Sequence, residues 1–170
     1  MNAFCRSLGL LLGRRPASMQ VAALCIDPET LKVMLVTSRG TGRWVTPKGW
    51  PMEGKTLSGA AAREAWEEAG VHGLISREEI GRYDYAKDQD RGFSVPVEVR
   101  VFPLYVTEAY ADFPEAPERE RNWFDAAEAA DLVAEPGLKR ILRLLDKRGR
   151  DGLLARFPLD SMHPTSHAAG

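Results

Sequence analysis

Three glutamates, Glu64, Glu67 and Glu68, have the spacing that places carboxylates together on one face of a helix. At 3.6 residues per turn their side chains fall within an arc of about 100°. Like charges this close repel each other, so such a cluster either faces water or holds a cation. Carboxylate oxygens suit Mg²⁺ or Mn²⁺, which would take phosphate oxygens as further ligands. The spacing therefore raises the hypothesis of metal-assisted hydrolysis of a phosphoanhydride.

The segment that carries these glutamates predicts a helix over residues 57–69. Thr56 or Ser58 can cap its N-terminus, and Gly70 lies where a left-handed C-cap is expected. We expect the buried face to lie opposite the acidic face and to consist of Leu57, Ala61, Ala62, Ala65, Trp66 and Ala69. Arg63 precedes the second glutamate by one turn and can orient it. A solvated acidic surface is the alternative interpretation.

The start of the same stretch also matches the phosphate-loop pattern G-x-x-x-x-G-K-[ST]. The matching residues are Gly49, Gly54, Lys55 and Thr56. A phosphate loop wraps the anion in consecutive backbone N–H groups, and Pro51 has none to offer. Trp50 is also too bulky for a tight anion-binding turn. Because no later strand ends in a suitable aspartate, we reject a phosphate loop.

The remaining pattern predicts strands before the helix and both strands and helices after it. The predicted strands cover 20–26, 32–39, 43–45 and 95–109, and the predicted helices cover 126–132 and 136–147. The first two strands form a hairpin, and we expect Pro103 to break the long one. This order predicts an α/β fold in which helices pack on a mixed sheet.

With these elements assigned, the stretch resembles the Nudix box, G-x5-E-x7-R-E-U-x-E-E-x-G-U, in which U is a bulky apolar residue. The matching residues are Gly49, Arg63, Glu64, Glu67, Glu68, Gly70 and Val71. Two positions depart from the pattern: Ala65 is small, and Lys55 replaces the first glutamate. The flanking segments RWVTPKGW and RERNWF extend the resemblance over about residues 20–148.

The resemblance implies a Nudix-type α/β/α sandwich that hydrolyses a diphosphate linked to another group, with Mg²⁺ or Mn²⁺ as cofactor. By carry-over, Glu67 and Glu68 are metal ligands and Glu64 is a ligand or the general base. Arg63 orients the carboxylates, and the carbonyl of Lys48 completes a metal shell. Glu118 and Glu120, in the later charged loop, are candidates for an additional base.

The nature of the linked group depends on residues outside the helix. RWVTPKGWPMEG looks most like the diphosphoinositol polyphosphate and diadenosine polyphosphate phosphohydrolase branch. The predicted substrate-binding residues are Arg39, Arg43, Lys48, Gly49 and Lys55. A nearby alternative is removal of pyrophosphate from an RNA 5′ end. Because Lys55 cannot bind a metal, a module that binds a nucleotide or inositol phosphate without cleaving it is the alternative from another class.

Composition limits the partners and the compartment. The chain has 170 residues, is 44% hydrophobic and 28% charged, and has a net charge of −1, so DNA and membranes are not expected partners. Two cysteines without ligand spacing favour a reducing cytoplasm. We expect an N-terminal arm over 1–19, a catalytic domain over 20–148 and a weakly periodic, partly disordered tail over 149–170. The oligomeric state stays open.

Overall fold

The computed structural model describes residues 18–88 and 92–165, which include most of the predicted elements. The predicted arm over 1–19 lies outside these ranges except for its last two residues. The strands are β1 (Ser18–Ile26), β2 (Val33–Thr37), β3 (Trp44–Val45), β4 (Lys48–Gly49), β5 (Val71–Ile75), β6 (Gly81–Asp88), β7 (Ser94–Ala109), β8 (Arg121–Phe124) and β9 (His163–Pro164). The helices are α1 (Leu57–Glu64), which continues as a π-helical turn over Ala65–Ala69, α2 (Ala126–Leu132) and α3 (Pro136–Arg156).

The strands form one mixed sheet, as the sequence predicts. Its main order is β3-β2-β1-β7-β5-β9, and β4, β6 and β8 pair with β1, β7 and β2. β1 runs parallel to β7, while the other pairs are antiparallel. The predicted hairpin of β1 and β2 is present. β6 was not predicted, because its sequence, GRYDYAKD, is too polar to suggest a strand.

The predicted break at Pro103 is wrong, because β7 runs through it without interruption. On one side Pro103 lies in the parallel register opposite Leu24 of β1. On the other side β7 changes partner there, from β6 up to Val101 to β5 from Leu104. The Pro103 carbonyl accepts a hydrogen bond from Ser76 N–H at 3.0 Å, within this junction. The missing N–H therefore falls where the ladder is already interrupted, which is where proline is tolerated in a sheet.

The sheet separates two apolar clusters, so the molecule has the predicted α/β/α layers. Side chains alternate between the faces of a strand. Val21, Ala23 and Cys25 of β1 pack against α1 and its π turn, whereas Ala22, Leu24 and Ile26 pack against α2 and α3. This alternation will decide which side of the sheet each site residue faces.

The segment assigned to a disordered tail is ordered as far as residue 165. α3 kinks at Gly149, where φ is 66°, close to the predicted helix end at 147, and then continues to Arg156. Leu153, Phe157 and Met162 are buried in the α2–α3 cluster. β9 then pairs with β5 at the sheet edge. Residues 166–170 lie outside the described part of the chain, within which no helix is long and apolar enough to cross a membrane.

Candidate active site

The glutamate helix begins and ends at the predicted residues. Thr56 is the N-cap, and its hydroxyl accepts a hydrogen bond from Gly59 N–H at 3.0 Å. Gly70 ends the π turn in the left-handed conformation, with φ 65°. The π turn holds the last two glutamates, so their direction differs from that in a continuous α-helix. A single-turn π segment inside a helix is frequent at functional sites.

The buried face of this helix differs from the prediction. Its fully buried alanines are Ala60, Ala61, Ala65 and Ala69, while Ala62 and Trp66 are only half-buried. Glu68 is 7% exposed, so one carboxylate belongs to the buried face and does not lie opposite it. Its Oε2 accepts a hydrogen bond from Lys48 N–H of β4 at 3.2 Å. The acidic cluster therefore faces the sheet edge at β4 and is not a solvated surface.

Gly49 leaves the space that the Glu64 carboxylate occupies. A Cβ at position 49 would lie 2.7 Å from Glu64 Oε2 and closer still to Oε1. Val21, the partner of Gly49 in β1, faces α1, which puts that space on the α1 side of the sheet. The first residue of the box and its first helix glutamate thus meet at one point, beside the Lys48 N–H that holds Glu68.

The positive charge near these carboxylates does not offset their burial and mutual repulsion. Burial, followed by repulsion from Glu68, Glu67 and Glu115, raises the pKa of Glu64 to about 7. Burial also raises the pKa of Glu68, against the opposing effects of Arg119 and Lys48. A raised carboxyl pKa reports an unfavourable environment for the negative charge, which an added cation would relieve.

Glu67 and Arg63 form the predicted pair. Arg63 Nε donates to Glu67 Oε1 at 2.5 Å, one turn apart on the helix. The Glu67 backbone carbonyl also accepts a hydrogen bond from Glu115 N–H at 3.0 Å. The loop before β8 is thereby tied to the glutamate helix.

Sequence reasoning missed Glu115 and Arg119, which this loop brings to the cluster. The Arg119 guanidinium, whose side chain is 6% exposed, donates to Glu68 Oε1 at 2.7 Å and to Glu115 Oε2 at 2.5 Å. A third donor reaches the Thr37 carbonyl at 2.9 Å. Arg119 thus partly neutralises Glu68. The run PEAPERER gives no periodicity that would single these two residues out.

The two predicted base candidates lie farther out than Glu115. Glu118 pairs with Arg39 at 3.0 Å and its side chain is 53% exposed. Glu120 is exposed, and its backbone N–H donates to the Thr37 hydroxyl at 2.9 Å. Arg39 also lies 3.8 Å from Glu115, so this predicted substrate cation is next to the cluster. Among the loop acids, Glu115 has the position that the prediction gave to its neighbours.

Two predicted cations are not brought to the carboxylates. Arg43 lies in the turn between β2 and β3, where its Nε donates to the Thr41 hydroxyl at 3.2 Å. Lys55 lines a cavity on the side of α1 that carries Gly59 and Ala62. Gly49 and Glu64 lie on the other side of the helix. The Lys55 ammonium therefore belongs to another surface.

Lys48 faces the opposite side of the sheet from Glu64. Its partner in β1 is Ala22, which packs in the α2–α3 cluster. The Lys48 Nζ lies 5.8 Å from the centroid of the Tyr85 ring, and Tyr85 OH donates to Gln20 Oε1 at 2.7 Å. Burial lowers the pKa of Lys48, while the charges of Glu68 and Glu135 oppose this. The β4 backbone therefore separates the carboxylates from a second group of polar side chains, which contains Lys48, Tyr85 and Gln20.

Glu135 completes this second group from the start of α3. Its side chain is 6% exposed, and its Oε2 has no hydrogen-bond partner within the described residues. Leaving a buried acceptor unsatisfied costs about 1–3 kcal/mol, so this carboxylate is held at an energetic cost. Nearby, the Lys87 ammonium lies 4.8 Å from the ring centroid of Trp50, which is 44% exposed. Trp50 and Tyr85 thus offer aromatic surface beside an acceptor.

The carboxylate cluster fits a magnesium-type ion better than a closed structural site. Within the described ranges no group of three or more His, Cys, Asp or Glu side chains is arranged to hold a metal. Mg²⁺ typically keeps several waters and takes only one or two carboxylates plus substrate phosphates. The close approach of the Glu64 carboxylate to Gly49 and its raised pKa fit this arrangement.

Comparison with known proteins assigns the fold and site to a family. The NUDIX domain family model matches residues 17–145, which include the helix, the β4 edge and the Glu115 loop. The chain belongs to the Nudix family. Members of this family are hydrolases that act on pyrophosphate bonds and generally use divalent ions such as Mg²⁺. The family resemblance inferred from the sequence is confirmed.

This Nudix chain is similar in sequence to a plant Nudix hydrolase and to a mouse phosphohydrolase. Nudix hydrolase 12, mitochondrial, of Arabidopsis thaliana is 32% identical over 144 residues, which cover 80% of this chain and 68% of the relative. Diphosphoinositol polyphosphate phosphohydrolase 3-alpha of Mus musculus is 36% identical over 118 residues, covering 67% and 68%. Other plant relatives are covered over 63% or 64% of their length, so the chain spans about two thirds of these proteins.

Solved structures confirm the fold. The dihydroneopterin triphosphate pyrophosphohydrolase of E. coli superposes with a TM-score of 0.61 at 18% identity, covering 79% of this chain and all of that one. The predicted α/β class with a mixed sheet is therefore confirmed as a Nudix fold.

Proposed function

We propose that this Nudix chain hydrolyses a phosphoanhydride in a diphosphate linked to a nucleoside, with a dinucleoside polyphosphate as the substrate class. The observation that carries the proposal is the meeting of Glu64, Glu68 and Gly49 at the β4 edge. A group of polar and aromatic side chains, Lys48, Tyr85, Trp50 and Glu135, lies across the β4 backbone from the carboxylates. The phosphates would lie at the carboxylates and the linked group beside Lys48 and Tyr85.

The roles proposed for the site residues come from the family resemblance, and their positions support them. Glu67 and Glu68 are the proposed ligands of Mg²⁺ or Mn²⁺, which when bound would neutralise phosphate charge and activate water. Glu64, with its pKa raised to about 7, is poised as the ligand or base that takes a proton near neutral pH. Arg63 holds Glu67, and the Lys48 carbonyl remains a proposed metal contact.

The loop residues extend this set of roles. We add Glu115 as an alternative base to Glu118 and Glu120, because it is the loop carboxylate tied to both Glu67 and Arg119. Arg119 is a positioning residue for Glu68 and Glu115. Arg39, next to Glu115, is placed to meet a substrate phosphate with its planar donors.

The side chains on this side of β4 favour a nucleoside as the linked group. Trp50 and Tyr85 can stack on a base. A densely phosphorylated inositol would be repelled by Glu135 but attracted by the Lys48 and Lys87 ammonium groups on the same side. The 36% identity to the mouse diphosphoinositol polyphosphate phosphohydrolase supports that class as the second candidate. The buried free thiol of Cys25 suits a reducing compartment such as the cytoplasm.

Turnover with Mg²⁺ and with Mn²⁺ tests the proposal. The panel holds diadenosine polyphosphates, a diphosphoinositol polyphosphate, a triphosphorylated RNA 5′ end, ADP-ribose and nucleoside triphosphates. We expect cleavage of diadenosine polyphosphates and at least about a 100-fold loss in Glu68→Gln, because the variant removes a ligand charge. Glu53→Gln, at an exposed loop position, is the matched control and should keep the parent rate.

Two further readouts separate the alternatives. Glu68→Gln also weakens the partner of a buried arginine, so its thermal midpoint and its Mn²⁺ affinity are measured alongside the rate. Trp50→Leu should raise KM for diadenosine polyphosphates with little change in kcat. Near-native turnover in Glu68→Gln would contradict the metal assignment. Tight binding of one panel member without cleavage would identify a non-catalytic binding module.

A further inference from the structure

The cavity that Lys55 lines has a volume of about 270 Å³ and lies on the other side of the glutamate helix from Gly49. Gly59, Ala62 and Trp66 form its wall on the α1 side. Its opposite wall comes from β5 and from the segment 163–165, which pairs with β5 at the sheet edge. Its volume is close to the lower end of the ~300–1,000 Å³ range of small-ligand pockets.

The charged side chains that line this cavity are all basic. Lys55, Arg63 and Arg77 line it, and no acidic side chain of the described residues does. Arg63 is paired with Glu67, whereas Lys55 and Arg77 form no ion pair within the parts of the chain that the structure covers. Cations held around one concave space raise the local concentration of anions.

Neutral hydrogen-bonding groups accompany the cations. The hydroxyls of Thr56 and Ser58 belong to the first turn of α1 and lie 3.3 Å apart. Thr165 contributes a hydroxyl from the opposite wall, and His163 an imidazole. The N-terminal end of a helix adds a partial positive charge in the same direction. These polar groups come from two separate elements, and Thr165 Oγ1 also accepts a hydrogen bond from Gly73 N–H at 2.9 Å.

We propose that this cavity binds a small phosphate-bearing anion at a site distinct from the carboxylate cluster. Lys55 departs from the box pattern because its charge belongs to this cavity and not to the metal-binding face. Arg and Lys together supply planar and point-charge contacts to phosphate oxygens. Because Arg63 lines the cavity and also holds Glu67, an anion bound here shares a guanidinium with the catalytic cluster.

Calorimetric titration of the full chain with inorganic pyrophosphate in EDTA tests this site, since removal of metal prevents metal-dependent binding at the glutamates. We expect saturable binding that Lys55→Gln/Arg77→Gln weakens at least tenfold, and Arg77→Gln alone weakens to a smaller extent. The matched control is Arg143→Gln/Lys147→Gln, which removes the same charge from exposed positions of α3. It should leave the dissociation constant within about twofold.

The site is separated from the proposed function by repeating the titration with Glu68→Gln. Pyrophosphate affinity should persist in this variant, although its turnover is lost, because Glu68 faces β4 and not the cavity. The proposal is overturned if no saturable binding occurs, or if both double variants weaken binding equally. It is also overturned if binding depends on Glu68 and not on Lys55 and Arg77. All of these outcomes are independent of whether the chain cleaves any substrate.

Discussion

At the residue scale, the tightest packing in the carboxylate cluster is at position 49, which carries no side chain. A methyl group there would overlap the Glu64 carboxylate. Because that carboxylate is the end of a flexible side chain, it can swing away without unfolding the protein. We therefore predict that Gly49→Ala leaves the thermal midpoint nearly unchanged but lowers metal affinity and turnover by at least about tenfold, or about 1.4 kcal/mol.

Gly40→Ala is the matched control for this substitution. Position 40 is exposed, its φ is not in the left-handed region, and a Cβ there would have nothing within 4 Å. Both variants are compared by Mn²⁺ titration and by hydrolysis rate. Parent-like metal affinity in Gly49→Ala would show that metal binding does not require the Glu64 carboxylate to lie against position 49.

Glu64 also gives the metal-free protein a specific pH dependence. Its pKa of about 7 in the folded chain exceeds the ordinary value of 4.5, so the folded state holds more protons than the unfolded state between these values. Stability contributed by this protonation is present at low pH and is lost as pH rises towards 7. We predict that the thermal midpoint in EDTA falls from pH 5 to pH 8 more steeply in the parent than in Glu64→Gln.

Added Mg²⁺ should act in the opposite direction. A carboxylate must be ionised to bind metal, so the stabilisation by Mg²⁺ should increase as pH rises through about 7. Thermal melts at several pH values, with and without Mg²⁺, measure both effects. Glu53→Gln should reproduce the parent curves. Parallel curves for the parent and Glu64→Gln would show that Glu64 does not carry this dependence.

At the scale of elements, the glutamate helix was largely predictable, because its signals are local. Thr56 and Gly70 are caps whose effect depends on their own conformation and nearby backbone groups. The face that it buries was not predicted correctly. Ala60, which the predicted buried face did not include, is buried, and Glu68 is buried with it. A helical wheel drawn with 3.6 residues per turn does not allow for the π turn. It also cannot show the Lys48 and Arg119 partners that allow a carboxylate to be buried.

Gly70 links this helix end to the loop that carries Arg119. With φ at 65°, an alanine there costs about 1–2 kcal/mol in backbone strain alone. Its Cβ would also overlap the Phe113 ring and lie 2.9 Å from Arg121 Nη1. We predict that Gly70→Ala lowers the free energy of unfolding by about 2 kcal/mol more than Gly54→Ala does, since clashes with buried groups add to the strain.

Gly54→Ala is the control that measures the cost of backbone strain without a clash. Position 54 has φ 75°, and a Cβ there would meet nothing within 4 Å. Urea unfolding of both variants gives the two free energies. Equal losses would mean that the Phe113 loop moves away freely, and that the loop is not held against the helix end.

At the scale of the whole molecule, the site residues that sequence reasoning missed depend on long-range contacts. Arg119 reaches Glu68 across 51 positions of the chain. Glu135 lies beside Lys48 only because α3 packs on β6, where a Cβ on Gly137 would touch Tyr83. The resemblance to the Nudix box identified the helix glutamates, but no local pattern indicates which loop acid, or which helix start, the sheet brings next to them.

The same long-range packing makes the C-terminal segment part of the fold. Phe157 is buried in the α2–α3 cluster, and its carbonyl accepts a hydrogen bond from Tyr105 OH at 2.8 Å. Truncating a core phenylalanine typically costs about 3–5 kcal/mol, a large share of the ~5–15 kcal/mol of a domain. We therefore predict that Phe157→Ala strongly destabilises the protein, although the residue lies outside the predicted catalytic domain of 20–148.

Leu159→Ala is the control, since Leu159 is two positions away, half exposed and also apolar. Its loss should change the free energy of unfolding by no more than about 0.5 kcal/mol. β9 follows Phe157 within a few residues and pairs with β5 at the sheet edge. Loss of the Phe157 anchor should therefore loosen β9 and speed amide exchange in β5. Chemical denaturation and hydrogen exchange measure the two effects. If both variants are equally stable, the segment after the Gly149 kink packs on the domain without contributing to its stability, and the domain ends near residue 148 after all.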